Sequence, residues 1–488
     1  MRTISERYLA KIATRSFLRL WSFPNVFTDE GKRTSSQTGK ELADLIVVFN
    51  DQVIIFSDKH CEYPSHADDR IAWDRWYRKA IEKSTRQLIG AERWIREYPH
   101  RLFLNDKCTI PFPSFIPIRP NAELHLVAVT RGSGAACRAY FGNEGTPTYV
   151  IDTRLRGRAH AEHPFHVGFP AESGRFVHVF DETSLDLLML ELDTVSDFTS
   201  YLRMREKFLS GKLSIIAPGE EELLALYLEN FDDERHCFPS FAGHDAGGLM
   251  IEAGRWRDIV STPRWKNAKA LNRISYAWDA LIEYLSTQLG RTEIDGPRFT
   301  PMAHVEESLR VMAAESRFQR RLLAEAANEV FSRSLEAGSR FMRVRFPLSG
   351  TGATYVFVAF DADTYCSDDE YRRARRSFLE TACLAVKRRK PTTTTILGLT
   401  CESAASRTSS YDVAGMFFDG QPLCDDECQF IAAEEEAWRI FKSHTEVIVT
   451  SHELPDVPTP PSQIVRTPRA QYRRNQLRSQ NRSHGSRK

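Results

Sequence analysis

Asp44 and Lys59 are the two residues of this chain whose types and positions make them the best candidates for a chemical role. They lie 15 residues apart in GKELADLIVVFNDQVIIFSDKHC, residues 39–61, and the residues between them are mostly apolar. A charge that is buried alone costs several kcal/mol, so both side chains need partners if this segment lies inside the protein. A carboxylate and an ammonium can serve each other as a structural ion pair, or both can belong to a polar site.

Two predicted strands carry this pair of charges. Residues 42–48 (LADLIVV) and 52–58 (QVIIFSD) are strand-like runs joined at Asn50-Asp51, which predicts a tight hairpin. Both faces of the strands are apolar, so we expect the hairpin to be buried within a layered α/β fold. A long helix is predicted from about residue 68 to residue 97, where Tyr98-Pro99 ends it.

The hairpin resembles the PD-(D/E)XK nuclease superfamily, and its nuclease-related-domain branch in particular. In that superfamily an Asp opens one strand, and a Glu or Asp, any residue and then a Lys close the next. Asp44 and Lys59 stand at the matching positions here. The resemblance implies a restriction-endonuclease-like α/β domain in which two carboxylates hold Mg²⁺ or Mn²⁺. Asp44 would be the first metal ligand, and Lys59 would position or deprotonate the attacking water.

The chain departs from this motif at one position. Two residues before the lysine, where the motif has a carboxylate, this chain has Ser57. Strand alternation puts Ser57 and Lys59 on one face and Asp58 on the other, so Asp58 can be the second ligand only if a bulge re-aims it. Glu41, three residues before Asp44, is the other candidate for the missing charge.

The predicted helix after the hairpin carries a polar stripe with four-residue spacing: Arg75, Lys79, Lys83 and Gln87. The resemblance implies that Gln87 faces the metal site, and the three basic residues are candidates for nucleic-acid binding. The stripe is interleaved with three aromatic residues, Trp73, Trp76 and Tyr77. Either these rings stack on bases beside phosphate-binding cations, or they lie in the core beneath a solvated face.

Length and charge indicate how the chain is organised. Its 488 residues are enough for two or three domains. We expect a nuclease-like domain over 1–215, a second, mixed α/β domain of unknown role over 216–454, and a disordered basic tail over 455–488. The tail has a net charge of +7 in a chain that sums to +1, so the residues before it sum to −6. It is either a solubilising appendage or a phosphate-binding arm.

Cysteine usage and hydropathy bear on the compartment. Nine scattered cysteines in a long chain are not typical of a disulfide framework, so we expect the reducing cytoplasm. No apolar run reaches 18 residues, so we expect no membrane span. His160, His163 and His166 lie close together in sequence, but in a loop-like segment that does not favour a metal site.

These observations leave three hypotheses for function. The first, which the resemblance favours, is a metal-dependent nuclease that hydrolyses phosphodiester bonds, expected to be those of DNA, in prokaryotic defence or DNA processing. The second is the same fold without catalysis, which binds nucleic acid or another partner because Ser57 replaced a ligand. The third is an interaction protein in which Asp44 and Lys59 form a structural ion pair. Cleavage separates the first hypothesis from the others.

Overall fold

A computed structural model describes residues 3–33, 38–142, 147–232, 235–241, 247–289, 302–337, 340–347, 352–361, 367–403, 410–442 and 452–454. The chain divides into two compact units, Met1–Trp265 and Lys266–Lys488. Both units combine helices with β-sheets, which confirms the predicted mixed α/β class. The predicted basic tail, 455–488, lies outside the described residues.

The first unit contains eight helices and twelve strands within its described residues. The helices are α1 (Ile4–Phe17), α2 (Asp69–Tyr77), α3 (Lys83–Glu97), α4 (Gly134–Tyr140), α5 (Glu182–Glu191), α6 (Val195–Leu209), α7 (Glu220–Glu229) and α8 (Arg255–Ser261). The strands are β1 (Ser22–Thr28), β2 (Lys40–Phe49), β3 (Gln52–His60), β4 (Leu102–Phe103), β5 (Glu123–Arg131), β6 (Val150–Arg156), β7 (His166–Phe169), β8 (His178–Asp181), β9 (Ser214–Ala217), β10 (Phe231–Asp232), β11 (Arg235–His236) and β12 (Gly248–Met250).

A six-stranded sheet forms the centre of this unit, with strand order β4-β1-β2-β3-β5-β8. β1, β2 and β3 are an antiparallel meander, whereas β5 is parallel to β3 and β8 is parallel to β5. The predicted hairpin is present: Phe49 pairs with Gln52 across the two-residue turn, and Asn50 adopts a positive φ of 55°. A parallel pair needs a long crossover, and the helical segment α2–α3 lies between β3 and β5.

The two faces of the sheet are covered by different helices. On one face, the ring of Phe56 in β3 lies 6.3 Å from the ring of Phe17 in α1 and 6.4 Å from that of Phe198 in α6. On the other face, the neighbouring residue Ser57 contacts Ser84 of α3. Successive side chains of a strand point to opposite faces, so β3 carries two separate environments. We call them the α1 face and the α3 face.

The helix predicted over 68–97 is observed as one nearly continuous segment. It begins at Asp68, whose side chain accepts a 2.8 Å hydrogen bond from the backbone N–H of Arg70, and it ends before Pro99. A π-helical turn, Arg78–Glu82, separates α2 from α3. This wider turn holds more residues than the 3.6 of an α-helix, so side chains with four-residue spacing drift less around the axis.

The aromatic residues of this helix belong to the core. Trp73, Trp76 and Tyr77 are at most 2% exposed, and their neighbours are other rings, among them Tyr149 and Phe165. The indole N–H of Trp73 donates to the carbonyl of His160 at 2.8 Å, so its polar atom is satisfied as well. The hypothesis that these rings stack on bases is therefore wrong, because no ring face is exposed.

The first unit also contains a four-stranded sheet of order β12-β9-β6-β7 and a two-stranded sheet of β10 and β11. Its core joins residues on both sides of the predicted domain boundary at 215, because Ile151 and Phe176 pack with Ile215, Leu223 and Ile251. β9 pairs with β6 on one side and with β12 on the other. The first unit therefore extends to Trp265, some fifty residues further than the sequence indicated.

The second unit contains a further four-stranded sheet of order β13-β14-β15-β16. Its strands are β13 (Phe341–Arg345), β14 (Thr354–Phe360), β15 (Thr395–Glu402) and β16 (Tyr411–Phe417). Its helices are α10 (Tyr276–Leu289), α11 (Met302–Ala313), α12 (Arg317–Ala337), α13 (Asp368–Arg389) and α14 (Asp425–Trp438), and α9 (Pro263–Leu271) precedes them across the division. β14 is buried along its whole length and packs against α13 through Phe360 and Phe378.

Membrane-spanning potential can be judged from the helices themselves. Among the described residues, no helix combines the length and the apolar character needed to cross a bilayer.

Candidate functional site

Asp44 lies in the middle of β2 and is almost completely buried, with 6% of its surface exposed. Its Oδ2 accepts a hydrogen bond of 2.6 Å from the backbone N–H of Asp58 in the neighbouring strand. Burial raises the pKa of Asp44 to about 7, although the Asp58 N–H and the charge of Lys59 both act to lower it. At a pH near 7 this carboxyl group is therefore protonated in part of the molecules, and a bound cation would compete with that proton.

Ser57 lies on the same face of the hairpin as Asp44. Phe56 pairs with Leu45, so continuing the antiparallel register by one residue sets Ser57 opposite Asp44. The Ser57 hydroxyl is fully buried, 3.3 Å from the hydroxyl of Ser84 and 3.5 Å from Oε1 of Gln87. Gln87 of α3 thus lies beside Ser57 on the α3 face, and its orientation toward a metal site stays a prediction.

A β-bulge decides where Glu41 points. Val26 pairs with Ala43 and the next residue, Phe27, pairs with Glu41, so Leu42 is an extra residue in β2. Val26 and Phe27 face opposite sides of the sheet, which means that Glu41 and Ala43 do too. Glu41 is consequently on the face of Asp44, and its charge contributes to raising the pKa of Asp44. Regular alternation would have put it on the other side.

Asp58 points to the α1 face, as strand alternation predicts. Its carboxylate accepts hydrogen bonds of 3.0 and 3.1 Å from Nε of Arg131 in β5, and its side chain is fully buried. Burial raises the pKa of Asp58, whereas the guanidinium of Arg131 acts to lower it. β3 carries no bulge that re-aims this side chain, since its register with β5 is unbroken from Gln52 to His60. The structure therefore does not bring Asp58 together with Asp44 as a second side-chain ligand.

Lys59 returns to the face of Ser57 at the end of β3 and is half-buried. Its charge lowers the pKa of Asp44, so the ammonium lies within electrostatic reach of the carboxyl group. Within the described part of the chain, Lys59 has no hydrogen-bond or ion-pair partner. A structural ion pair between Asp44 and Lys59, the basis of the third hypothesis, is accordingly not formed.

The three basic residues of the stripe, Arg75, Lys79 and Lys83, are exposed, while Gln87 is half-buried. None of the three forms an ion pair with a described residue. They form a row of unneutralised charge that leads along α2 and α3 to Gln87. Such a row can contact phosphates. Their role in binding nucleic acid stays a prediction.

Comparison with known proteins gives no further assignment. No family model, no curated protein and no solved structure matches this chain. Membership of the nuclease superfamily therefore stays a prediction, which depends on the sequence motif alone.

The sequence did not reveal one further group of candidate ligands. Among the described residues, His125, His178 and Glu206 come together beneath the α1 face, although they are distant in sequence. The histidines that cluster in sequence behave differently: both ring nitrogens of His160 are occupied by the backbone of Gly157 and Gly168.

Proposed function

We propose that the first unit is a Mg²⁺-dependent nuclease that hydrolyses phosphodiester bonds, with DNA as the expected substrate. One observation carries this proposal. The bulge at Leu42 puts a second carboxylate, Glu41, on the face that holds Asp44 and the ammonium of Lys59, which has no hydrogen-bond or ion-pair partner among the described residues. The α3 face thus has the two carboxylates and the lysine that the resemblance requires, with Glu41 in place of the carboxylate that Ser57 lacks.

The donor set fits the proposed metal. Asp44, Glu41 and the amide of Gln87 offer oxygen atoms, which are the ligands that Mg²⁺ and Mn²⁺ prefer. When bound, the metal supplies charge stabilisation at the phosphate and lowers the pKa of its water. Asp44 and Glu41 would hold it, and Asp44 would release its proton as it does so.

The remaining residues have roles that follow from their positions. Lys59, which has no partner among the residues that the structure describes, would position the attacking water or remove its proton. Gln87, 3.5 Å from the Ser57 hydroxyl, would orient groups on the α3 face. Lys79 and Lys83 would hold phosphates of the substrate strand along the helix.

A specific observation also favours the second hypothesis, a nucleic-acid-binding domain without catalysis. Glu41 is exposed and lies three residues before Asp44 in the sequence. The residue directly opposite Asp44 in β3 is Ser57, which is neutral and fully buried. If Glu41 does not act as a ligand, Asp44 is alone. Ser57→Glu separates the two functions: it should leave a Glu41-dependent nuclease no more active, and should create cleavage in a site that lacks a ligand.

The proposal is tested with purified full-length protein on single- and double-stranded DNA and RNA, with Mg²⁺, with Mn²⁺ and with a chelator. Asp44→Asn and Lys59→Ala should each reduce metal-dependent cleavage by about a hundredfold or more, because one removes a ligand charge and the other the residue that positions the water. Asp51→Asn is the matched control, since Asp51 is an exposed carboxylate in the turn of the same hairpin.

Asp44→Asn keeps an oxygen for the Asp58 N–H, so this variant should fold and still bind nucleic acid. Equal inertness of wild type, Asp44→Asn and Ser57→Glu on all four substrates with both metals contradicts the nuclease proposal. Retained binding would then leave the second hypothesis, and absence of binding would leave an interaction protein without an Asp44–Lys59 ion pair.

A further inference from the structure

A group of three potential metal ligands lies on the α1 face of the central sheet, away from the α3 face. His125 is in β5, His178 opens β8, and Glu206 is in α6. Val127 pairs with His178, so His125 is the diagonal neighbour of His178 on the same face. Each residue offers one ligand atom, and these atoms lie within 4.8 Å of one another.

Both imidazoles are completely buried, and each leaves one nitrogen unused. His125 and His178 are 0% exposed, and Nδ1 of His125 and Nε2 of His178 have no hydrogen-bond partner among the described residues. A buried polar atom without a partner costs about 1–3 kcal/mol, so two in one place call for an explanation.

A second layer of hydrogen bonds orients His125 as a ligand. Nε2 of His125 lies 2.7 Å from Oε1 of Gln52, so this nitrogen carries the proton and Nδ1 keeps its lone pair. The amide nitrogen of Gln52 in turn donates to Glu123 at 3.0 Å, which fixes the orientation of the amide. A ligand histidine whose other nitrogen donates to an oxygen held in this way is the usual arrangement around protein-bound metals.

Glu206 supplies the only negative charge among the three ligands. Its Oε1 accepts from Nη1 of Arg175 at 3.2 Å, and Oε2 has no hydrogen-bond partner among the described residues. Arg175 also pairs with Glu92 at 2.9 Å, so its charge is shared between two carboxylates. The carboxylate of Glu206 therefore keeps an oxygen for a cation.

Arg205 sets a condition on how His178 can bind a cation. Its Nη1 lies 3.3 Å from Nδ1 of His178, whereas its Nε and Nη2 donate to Glu220 at 2.8 Å each. To bind a cation through Nε2, His178 must carry its proton on Nδ1 and give up the contact with Arg205. That contact is the longest of the three, and its loss leaves the pair of Arg205 with Glu220 intact.

We propose that His125, His178 and Glu206 form a buried site for a divalent transition-metal ion, and that Zn²⁺ fits it best. Two neutral imidazoles and one carboxylate are a ligand set that Zn²⁺ accepts, with a fourth position for water. Ligand atoms about 2.1 Å from the ion lie about 3.4 Å apart in tetrahedral geometry, so the side chains close by up to about 1.4 Å on binding. The ion joins β5, β8 and α6, and its role is to stabilise the first unit.

Binding is tested with the untagged full-length protein, freed of metal by a chelator and then titrated with Zn²⁺. We expect one tightly bound ion per chain and a rise of about 5 °C in the thermal midpoint at saturating Zn²⁺. Co²⁺ serves as a spectroscopic substitute, and its visible ligand-field bands should show a four- or five-coordinate nitrogen and oxygen environment without thiolate charge transfer.

Variants locate the ion. Glu206→Gln keeps an oxygen for Arg175 and should fold, yet bind Zn²⁺ at least about tenfold more weakly. His125→Gln should remove the Co²⁺ bands, while His163→Gln, at an exposed histidine outside the group, should leave both readouts unchanged.

Absence of bound Zn²⁺ and of a thermal shift in the wild type overturns the proposal, as does equal affinity in Glu206→Gln and His125→Gln. Thiolate bands in the Co²⁺ spectrum also overturn it, because they place the ion at cysteines. An internal water between the two unused nitrogens is then the remaining explanation to test. This site lies on the opposite face from Asp44, so the outcome is independent of the proposed nuclease activity.

Discussion

The carboxyl group of Asp44 accepts the backbone N–H of Asp58 at 2.6 Å, while the side chain of Asp58 pairs with Arg131 on the opposite face of the sheet. The two aspartates are therefore joined by a hydrogen bond, but their side chains lie on opposite faces of the sheet. Asp44 belongs to the α3 face with Ser57 and Lys59. Asp58 helps to hold β3 against β5. Substitutions at the two positions should consequently have different effects.

Glu41→Gln and Asp58→Asn form a matched pair of charge-removing substitutions. Glu41→Gln should abolish metal-dependent cleavage and leave the free energy of unfolding within about 0.5 kcal/mol, because Glu41 is exposed. Asp58→Asn should retain cleavage and lower the free energy of unfolding by about 3 kcal/mol, because it leaves Arg131 without its buried partner. Urea unfolding and a cleavage assay measure both effects. The reverse result would assign the second metal ligand to Asp58.

The basic stripe should act on binding and not on stability. Changing Lys79 and Lys83 together to Ala should weaken binding of DNA and reduce the dependence of its affinity on salt, because each lysine that contacts a phosphate releases about one counterion. Both side chains are exposed, so the thermal midpoint should move by no more than a few degrees. Lys11→Ala, at an exposed position of α1, is the control. A large loss of stability with unaltered binding would show that the stripe is structural.

Asp181 should give the first unit a distinct dependence on pH. Burial raises its pKa to about 7, and the nearby charges of Glu182 and Glu221 act in the same direction. Between about pH 4 and pH 7 the folded state therefore keeps a proton that the unfolded chain has lost. The contribution of Asp181 to stability thus falls as pH rises through this window, by at most about 1.4 kcal/mol per pH unit.

Asp181→Asn should remove this contribution. Asn can still accept the 2.7 Å hydrogen bond from the backbone N–H of Ser184 that begins α5, so the helix cap is kept. Urea unfolding from pH 4 to pH 8 should show the difference between wild type and variant shrinking or reversing as pH rises, in favour of the variant. Parallel pH profiles would mean that Asp181 is ionised in the folded protein.

Removal of residues 455–488 tests the basic tail. Its net charge of +7 contrasts with −6 for the rest of the chain, so it should supply much of any non-specific attraction to nucleic acid. If about five phosphates are neutralised, truncation should make the slope of log K against log salt shallower by about 4–5 units. The thermal midpoint should not change. An unchanged slope would leave the solubilising role.

Sequence reasoning was most successful where local chemistry decides the structure. The hairpin followed from two apolar runs around Asn50-Asp51, and the long helix over 68–97 followed from its end at Tyr98-Pro99. Alternation also put Asp58 on the face opposite Ser57, as observed. Residues 182–209 form two helices and not one, because Thr194 begins α6 by accepting a hydrogen bond from the backbone N–H of Asp197.

The parts that sequence reasoning could not reach depend on pairing between distant segments. The face of Glu41 is set by the bulge at Leu42, which exists only because β1 pairs with β2 in a particular register. The group of His125, His178 and Glu206 forms only where two parallel strands and a helix come together, and no spacing in the sequence predicts that contact. The C-terminal boundary of the first unit likewise depends on distant pairing, because β9 pairs with both β6 and β12.

The alternation of Ser57, Asp58 and Lys59 along β3 also protects the protein against misalignment during folding. A shift of one residue would move Asp58 beside Asp44, setting two carboxylates against each other in a dry interior. The same shift would turn Lys59 toward Arg131 and put two cations together on the other face. Because the shifted register would place like charges together on both faces of the sheet, these three consecutive residues help to specify the register of β2, β3 and β5.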